Sequence, residues 1–287
     1  MEPNPEPQEE VKTVEGPSEI PEGHSVKYYE WTDDMTQKCQ DVIDEDENYH
    51  PEAGKLKKHA GMNWHIFYSN NKTNFFKNRH YLIKEFTEMK EKCDDQEIVR
   101  LLDAGCGVGN ALFPLCKDLP NLHVDAFDFA LKAVNLVKEH EKFEEERMKV
   151  EQCDLVRDDI PFEAGTHDFA ILIFVLSAIF PEHYKDVIQK VYDQLNQGGI
   201  LYFRDYGKYD MAQMRFAKKK TSKVLDNFYV RGDKTLAYYF TIEEVDELMT
   251  SVGFKKLSLD YHYKEFENRK KGLKMHRVWI QAKYIKE

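Results

Sequence analysis

The chain has 287 residues, a length that fits one large domain or one domain with an extension. No apolar run reaches the roughly 18–20 residues that a membrane-spanning helix needs, and the acidic, Pro-rich start lacks the basic flank and apolar core of a signal peptide. The five cysteines show neither a C-x-x-C pair nor zinc-binding spacing. These features predict reduced thiols, no metal site and no membrane partner, in a protein of the cytoplasm or also of the nucleus.

The formal net charge of −11 is unevenly distributed along the chain. Residues 1–52 contain 16 acidic and 3 basic residues, so this segment carries −13 and the remainder carries +2. Within the remainder, residues 264–286 contain eight basic and two acidic residues. The overall acidity therefore does not exclude a polyanionic partner, because local positive patches attract one.

Residues 1–54 are predicted to be an acidic, largely disordered leader. Residues 1–23 have almost nothing apolar to bury, so their ordering entropy would not be offset. Residues 26–43 contain Trp31, two tyrosines and aliphatic side chains, which predict a short docking element.

Residues 55–97 are predicted to form an N-terminal cap that is helical at its start. Its helix carries the aromatic residues Trp64 and Tyr68. Basic residues then alternate with aromatic ones, a pattern that suits a surface which binds phosphate and stacks on a base. The alternative is a core-covering helix whose aromatic residues only pack. The basic residues are Lys77, Arg79 and His80.

A glycine-rich turn follows the first buried strand of the main domain and precedes a helix. Gly105, Gly107 and Gly109 permit positive φ and let a ligand approach the main chain. Asn110 stands where the dinucleotide-binding fingerprint would have its third glycine. With Asp103 two residues before the first glycine, the spacing resembles the first motif of class I S-adenosylmethionine-dependent methyltransferases. The alternative is a tight turn without a ligand.

Two acidic residues end the next two predicted strands. Asp128 lies about twenty residues beyond the turn, where a carboxylate can accept hydrogen bonds from both hydroxyls of an adenosine ribose. Asp154 ends the third strand, where a side chain would reach the adenine amino group. Each acid alone is more often a helix cap or a solvated loop residue. Together with the glycine turn, they favour a nucleoside site.

Residues 98–287 are predicted to form one α/β domain. Strands and helices alternate as far as residue 200, which predicts a parallel sheet with right-handed crossovers. The central strand, over 167–179, is a nearly continuous apolar run and is expected to be buried on both faces. The last two strands, over 257–263 and 277–284, complete a Rossmann-like seven-stranded sheet whose last strand is antiparallel.

Three further elements are predicted between residues 204 and 256. A basic amphipathic helix covers 211–223, a hairpin lies near 228–233, and a helix over 241–251 begins with a capping box. The basic helix either contacts RNA phosphates or is a solvated face, which is the more common explanation for such a run. Its basic residues are Arg215, Lys218, Lys219, Lys220 and Lys223.

Six motifs carry a resemblance that covers the chain from about residue 64 to its end. They are Phe75–His80, Ala104–Asn110, Leu172–Ala178, Phe203–Gly207, Asn227–Arg231 and Arg277–Gln281. Jointly they resemble the eukaryotic methyltransferase-like family that forms 3-methylcytidine in the tRNA anticodon loop. Three positions depart from the family pattern. In its Lys-Asp-Arg-His-Trp motif Asn78 replaces Asp and Tyr81 replaces Trp, and elsewhere His65 replaces an acid. These changes concern substrate detail rather than class.

The resemblance implies a class I methyltransferase fold, S-adenosyl-L-methionine as cofactor and tRNA as substrate. The segments at Glu30-Trp31 and Val278–Gln281 look more like the threonine-tRNA branch, with serine or arginine tRNA as the alternative. An aminoacyl-tRNA synthetase or another accessory protein is a further expected partner. By resemblance, Trp64 and Tyr68 would close over the methyl donor, Gly105 would approach its methionine part, and Asp128 would hold the ribose. The adenine would be framed by Asp154, Leu155 and Ile173.

Methylation of cytosine N3 needs little help from acid–base groups, because N3 of the neutral base carries a lone pair and no proton. A carboxylate near the ring would stabilise the cation that forms, and Asp205 is our candidate for it. Its alternative role is that of an ion-pair partner for Arg204 or Arg79. Cys106 is rejected as a nucleophile, because it lies inside the glycine turn.

The candidate residues fall into three groups, and none is assigned to a metal. The catalytic candidates are Asp205, Arg204 and Arg79. The cofactor-binding candidates are Trp64, Tyr68, Gly105, Gly107, Asn110, Asp128, Asp154, Leu155 and Ile173. The RNA-binding candidates are Lys77, His80, Arg215, Lys218, Lys219, Lys220, Tyr229 and Arg231.

Two other functions stay open at this point. A small-molecule methyltransferase on the same fold would not bind tRNA, and the interleaved basic and aromatic residues argue against it. A non-catalytic partner subunit would not bind the cofactor, and the intact glycine turn with its acids argues against it.

Overall fold

The computed structural model describes residues 24–71, 77–268 and 273–287. The expected disorder of residues 1–23 and the Phe75-Phe76 pair of the cap lie outside the described residues. In the part of the chain that is described, no helix is long and apolar enough to cross a membrane.

The described strands form one large sheet and one small one. The large sheet has the strand order β1-β10-β11-β6-β5-β2-β3-β4, and the small one has the order β7-β8-β9. The strands are β1 (His24–Tyr28), β2 (Val99–Ala104), β3 (Leu122–Asp128), β4 (Met148–Gln152), β5 (His167–Ile173), β6 (Leu195–Tyr206), β7 (Lys223–Leu225), β8 (Phe228–Val230), β9 (Leu236–Tyr238), β10 (Phe254–Asn268) and β11 (Leu273–Lys286).

The helices lie on both faces of the large sheet and around the ends of its strands. They are α1 (Asp33–Asp44), α2 (Ala53–Asn71), α3 (Leu82–Glu85), α4 (Thr87–Asp95), α5 (Leu112–Asp118), α6 (Leu131–Lys138), α7 (Tyr184–Gln194), α8 (Met211–Lys219) and α9 (Ile242–Ser251). A short 3-10 turn, Leu176–Ala178, follows β5.

The α/β class and the parallel centre of the sheet are confirmed, but the strand number is not. Strands β4, β3, β2, β5 and β6 run parallel, and β11 pairs antiparallel to β6 as expected. The sheet has eight strands rather than seven, because β1 from the leader pairs antiparallel to β10, with Val26 opposite Phe266.

The strand alternation divides the core into two layers, one on each face of the sheet. Leu101 and Tyr202 belong to one hydrophobic cluster, whereas their chain neighbours Leu102 and Phe203 belong to the other. Successive side chains of a strand point to opposite faces, so both faces of β2 and β6 are buried. This double burial explains why the central strands are apolar without alternation.

Backbone geometry ends two elements earlier than their sequence patterns predict. Strand β5 stops at Ile173 because Phe174 has φ of +60°, which a strand does not allow. Helix α8 stops at Lys219 because Lys220 adopts the left-handed conformation. The capping box is confirmed: Thr241 Oγ1 accepts from Glu244 N, and the Glu244 carboxylate accepts from Thr241 N.

Candidate active site

The glycine turn joins β2 to α5 in a conformation that only glycine adopts without strain. Gly105, Gly107 and Gly109 have φ of +77°, +56° and +83°. A Cβ atom on Gly105 would lie 2.6 Å from the Val175 side chain, and one on Gly107 would lie 2.8 Å from Tyr68 Oη. The Val175 and Tyr68 side chains therefore approach the main chain of the turn so closely that residues with a side chain would not fit at these two positions.

The Asp128 carboxylate braces this turn from the end of β3. Its Oδ2 accepts from Gly107 N at 2.9 Å, and its Oδ1 accepts from Ala130 N at 2.8 Å. Burial raises its pKa to about 6, while these two hydrogen bonds oppose the shift. The fold thus brings together two candidates that are 21 residues apart in the chain.

Asp103 lies at the end of β2, and the sequence pattern predicted no binding role for it. Its side chain is buried, and within the described part of the chain its Oδ2 has no hydrogen-bond partner. Burial raises its pKa to about 7; the Arg79 cation opposes this shift and the Asp128 charge adds to it. A buried carboxylate oxygen without a partner is rare, and in a cavity wall it suits a cationic ligand group. Its position two residues before the first glycine was the available signal.

A partly enclosed cavity lies between the glycine turn, α2 and the ends of β5 and β6. Eight of the candidate residues line it: Trp64, Tyr68, Arg79, Gly105, Gly107, Asn110, Ile173 and Arg231. Six other lining residues were not candidates: Asp103, Cys106, Ala111, Phe174, Ser177 and Tyr206. The cavity therefore unites most of the cofactor candidates with one catalytic and one RNA candidate.

Helix α2 covers the cavity with aromatic side chains. The Trp64 ring lies 6.0 Å from the Tyr68 ring, centroid to centroid, and Tyr68 is buried. The helix approaches closely because Gly61 has no side chain: a Cβ there would lie 2.2 Å from the Phe129 ring. Phe129 directly follows Asp128, so α2 rests on the loop that braces the glycine turn.

Phe174 and Tyr206 form an aromatic wall that the sequence did not predict. Their ring centroids are 4.8 Å apart. The Arg79 guanidinium lies 5.1 Å from the Phe174 ring, and that of Arg231 lies 5.3 Å from the Tyr206 ring. A bulky residue with φ of +60° is a backbone outlier of the kind that clusters at functional sites.

Asp205 lies directly behind this wall rather than in it. Its Oδ2 accepts from Ser177 N and its Oδ1 from Tyr206 N, both at 2.9 Å. The residue is fully buried, and burial raises its pKa to about 6 while the hydrogen bonds oppose the shift. Both carboxylate oxygens thus bond to main-chain N–H groups, not to Arg204 or Arg79 as the alternative prediction held.

Arg204 points to the opposite face of the sheet, which corrects its place among the catalytic candidates. It is fully buried, donates to Glu85 and Gln281, and lies 4.5 Å from the Tyr81 ring. It is not among the residues that line the cavity. Neighbouring residues of a strand face opposite sides, so Arg204 and Asp205 cannot both serve one site by direct contact.

Comparisons with known proteins show the family of the chain. Residues 101–199 match a family model described as a methyltransferase domain. The tRNA N(3)-cytidine methyltransferase METTL6 of Homo sapiens is 43% identical over 238 residues, which cover 81% of this chain and 82% of that protein. The chain belongs to the tRNA N(3)-cytidine methyltransferase family.

One further relative resembles the chain in sequence, and one solved structure resembles it in fold. The tRNA(Thr) (cytosine(32)-N(3))-methyltransferase of Saccharomyces cerevisiae is 38% identical over 88% of this chain and 42% of that protein. A solved SAM-dependent methyltransferase from Methanosarcina mazei has a TM-score of 0.53 and 20% identity, covering 67% of this chain and 93% of that one. The second likeness concerns the fold alone.

The cavity of this family member fits S-adenosylmethionine, the cofactor expected from the sequence. Two features point to it: the unpartnered Oδ2 of Asp103, and a turn at Gly105 and Gly107 where any side chain would collide. Three cofactor candidates lie outside the cavity lining: Asp128, Asp154 and Leu155. Asp154 Oδ1 accepts from Val156 N at 3.0 Å, and Leu155 belongs to the core. In the described part of the chain no cluster of His, Cys, Asp or Glu could hold a metal ion.

The RNA candidates are divided by their exposure. Lys77 is exposed and His80 is half-buried near the cavity. Arg215, Lys218 and Lys219 are exposed on α8, and Lys220 is exposed directly after it. Tyr229 is fully buried, with its ring centroid 6.0 Å from that of Phe216. A ring enclosed in the small sheet cannot stack on a base, so the structure contradicts that prediction.

The leader places one aromatic residue between two others. The Trp31 ring stacks on Tyr263 at 5.1 Å and on Tyr209 at 5.9 Å, with an interplanar angle of 11° in both pairs. Helix α1 then packs along α8, where Glu45 and Lys220 form an ion pair at 3.6 Å. The acidic leader therefore lies next to the basic helix.

Proposed function

We propose that this protein transfers a methyl group from S-adenosylmethionine to N3 of a cytidine in the anticodon loop of a tRNA. One observation carries the proposal: a single cavity is lined both by the glycine turn with Asp103 and by the Phe174–Tyr206 wall with Arg79 and Arg231. The first side suits a nucleoside with a cationic amino acid part, and the second suits an aromatic base with its phosphate.

The donor side is assigned to residues of the turn and of α2. Asp103 would accept from the ammonium group of the methionine part, and Gly105 and Gly107 would let it approach the main chain. Trp64 and Tyr68 would cover it, and Asp128 would hold the ribose. When bound, the cofactor supplies an electrophilic methyl group on a sulfonium centre.

The acceptor side orients the base and tolerates its positive charge. Because N3 of neutral cytosine has no proton to lose, none of these residues needs to act as a base. Cys106 is not a nucleophile: burial raises its thiol pKa well above the usual value, and its Sγ lies beside Gly107 O at 3.6 Å. Asp205, behind the wall, would stabilise the cationic ring electrostatically.

The tRNA species and the setting are further parts of the proposal. We assign threonine tRNA as substrate, because the yeast relative with that specificity in its name matches 88% of this chain. An aminoacyl-tRNA synthetase or another accessory protein is proposed to assist, in the cytoplasm or also in the nucleus. Serine and arginine tRNAs are the alternative substrates.

Nucleoside mass spectrometry tests the proposal directly. Purified protein and S-adenosylmethionine are incubated with threonine, serine and arginine tRNA transcripts, and digests are searched for 3-methylcytidine. A matched transcript with uridine in place of cytosine 32, the position named for the yeast relative, is the control. Formation of 3-methylcytidine only in the cytosine-containing transcript supports the proposal. Cofactor turnover without any tRNA product would favour a small-molecule methyltransferase.

A further inference from the structure

Helix α2 contacts both halves of the active site. Its residues Trp64 and Tyr68 line the donor side of the cavity. Nearer its start, Leu56 shares a hydrophobic core cluster with Val230 and Leu236, the strand residues that flank the loop 231–235. A 19-residue helix is a rigid rod of about 28 Å, so it can transmit a displacement from one half to the other.

One partly buried hydrogen bond ties the middle of α2 to this loop. Asn63 is 7% exposed, and its Nδ2 donates to the main-chain oxygen of Lys234 at 2.9 Å. The two residues are 171 positions apart in the chain. Asn63 directly precedes Trp64, so this hydrogen bond is made by the residue next to one of the two aromatic residues on the donor side.

The loop that receives this bond is a tight turn that carries Arg231 into the cavity. Arg231 N donates to Thr235 O at 2.8 Å, and Lys234 N donates to Arg231 O at 3.0 Å. Asp233 Oδ1 accepts from both the N–H and the hydroxyl of Thr235, and Lys234 has φ of +68°. A turn with this many internal bonds moves as one piece, so fixing Lys234 O also fixes Arg231.

The donor side is closed by the same helix. Tyr68 Oη lies 2.8 Å from where a Gly107 Cβ would be, and the Phe129 ring fills the space over Gly61. Because Trp64 and Tyr68 line the donor side of the cavity, a shift of α2 would open or close that side. When α2 shifts, either the Asn63–Lys234 bond breaks or the Arg231 loop follows.

We propose that Asn63 is a positioning residue which couples the two halves of the site: its bond to Lys234 lets closure of α2 over the methyl donor fix the loop that presents Arg231 to the RNA. This inference rests on the proposed function, because it needs both ligands. It requires donor and RNA to strengthen each other's binding by the same factor, since such coupling is reciprocal.

A thermodynamic cycle measures this coupling. The dissociation constant of S-adenosylhomocysteine is determined with and without a threonine-tRNA anticodon stem-loop, and that of the stem-loop with and without S-adenosylhomocysteine. For the unchanged protein we expect each ligand to tighten the other by about fivefold or more, the lower end of common coupling strengths. Asn63→Ala and Asn63→Leu should reduce this factor towards one while S-adenosylhomocysteine alone binds within about twofold of the unchanged protein.

Matched variants separate coupling from simple damage. Met62→Ala alters the neighbouring exposed side chain on the same helix and should keep the full coupling factor. Asn63→Leu fills the space without a donor, so it reports on the hydrogen bond if the alanine variant does not fold. Asn63→Gln keeps a donor group and should recover part of the coupling. In steady-state assays, the Ala and Leu variants should raise KM for RNA more than they lower kcat.

Three results would overturn the inference, and they are distinguishable. Unchanged coupling in folded Asn63→Ala and Asn63→Leu proteins would remove Asn63 from this role while leaving the methyltransferase activity in place. Absence of coupling in the unchanged protein, with both ligands bound, would show that α2 and the loop act independently. Failure of the unchanged protein to bind or methylate RNA would overturn the proposed function and this inference together.

Discussion

At the scale of single residues, Asp128 determines the shape of the donor site. Its two oxygens hold Gly107 N and Ala130 N, so the carboxylate fixes the turn that lines the cavity. Asp128→Ala should weaken S-adenosylhomocysteine binding at least tenfold, because hydrogen bonds to a charged group contribute about 1.5–3 kcal/mol each. Calorimetric titration checks this, with Glu151→Ala, an exposed acid at the end of β4, as the control. Unchanged affinity in a folded Asp128→Ala protein would exclude Asp128 from the site.

The buried acids also predict how donor binding depends on pH. Burial raises the pKa of Asp103 to about 7 and that of Asp128 to about 6. Both are raised above the unfolded value, so the ligand-free fold loses stability as pH rises from about 4 to 7. Deprotonation creates the acceptors that a cationic ligand needs, so S-adenosylhomocysteine should raise Tm more at pH 8 than at pH 5.5. Asp103→Asn should flatten this difference, and an equal Tm shift at both pH values in the unchanged protein would contradict the assignment.

Asp205 is predicted to act on turnover more than on RNA affinity. Its carboxylate accepts from Ser177 N and Tyr206 N, and its charge would stabilise the ring chiefly when the ring becomes cationic. Asp205→Asn removes the charge and replaces one acceptor by a donor. We expect kcat to fall about tenfold or more, with the dissociation constant of the RNA within about twofold. Equal losses of kcat and RNA affinity would make Asp205 a structural support of the wall.

The errors of the residue-level predictions have one physical cause. Motif spacing placed Asp128 beside the glycine turn, because carboxyl ends of parallel strands meet at one edge of the sheet. Motif spacing does not predict which of Arg204 and Asp205 faces the site, because that depends on the register of β6 against its neighbouring strands. Tyr229 and Phe174 show the same limit: the burial of one and the positive φ of the other arise from contacts that are distant in sequence.

At the scale of elements, local sequence patterns predicted where helices and strands form better than they predicted which strands pair with each other. The capping box at Thr241 and the apolar run of β5 are local and were read from the sequence. The pairing of β1 with β10 joins residues about 240 positions apart at a sheet edge, where no local pattern specifies a partner. For the same reason the small sheet β7–β9 was read only as a hairpin.

The leader element should matter for stability and RNA binding more than for the donor. Trp31→Ala removes two stacked pairs, each worth about 0.5–1.5 kcal/mol beyond its buried area. We therefore expect a lower denaturant midpoint and weaker tRNA binding, with S-adenosylhomocysteine affinity within about twofold. Glu30→Ala, an exposed neighbour, is the control. An equal loss of donor affinity would show that the leader supports the cavity itself.

At the scale of the whole molecule, charge is segregated rather than balanced. The acidic excess lies in residues 1–52, whereas the body of the chain is mildly basic. Helix α8 exposes Arg215 and three lysines at the end of the molecule where β6 delivers Tyr206 to the cavity. The neighbouring acidic α1 neutralises part of this surface, as the ion pair of Lys220 with Glu45 shows. A protein of net charge −11 can therefore attract RNA from one side.

This arrangement predicts a steep salt dependence of tRNA binding that a defined surface controls. Each phosphate contact contributes about 0.7–0.9 to the slope of log affinity against log salt. Reversing Lys218, Lys219 and Lys220 to Glu should lower that slope by about two to three without changing S-adenosylhomocysteine affinity, because α8 does not line the donor side. Binding is measured by fluorescence anisotropy of labelled tRNA across a salt series.

A second triple variant provides the matched control for this experiment. Lys149 lies at the start of β4, and Lys255 and Lys256 lie at the start of β10. All three are exposed, at the strand ends that are opposite the cavity. Reversing them to Glu changes the net charge by the same amount, so a general electrostatic effect would weaken tRNA binding equally in both variants. We expect the full slope to persist in this control. If the α8 variant also kept the original slope and activity, α8 would be an ordinary solvated face, and the phosphate contacts would have to come from other basic residues, such as Lys77 and His80 near the cavity.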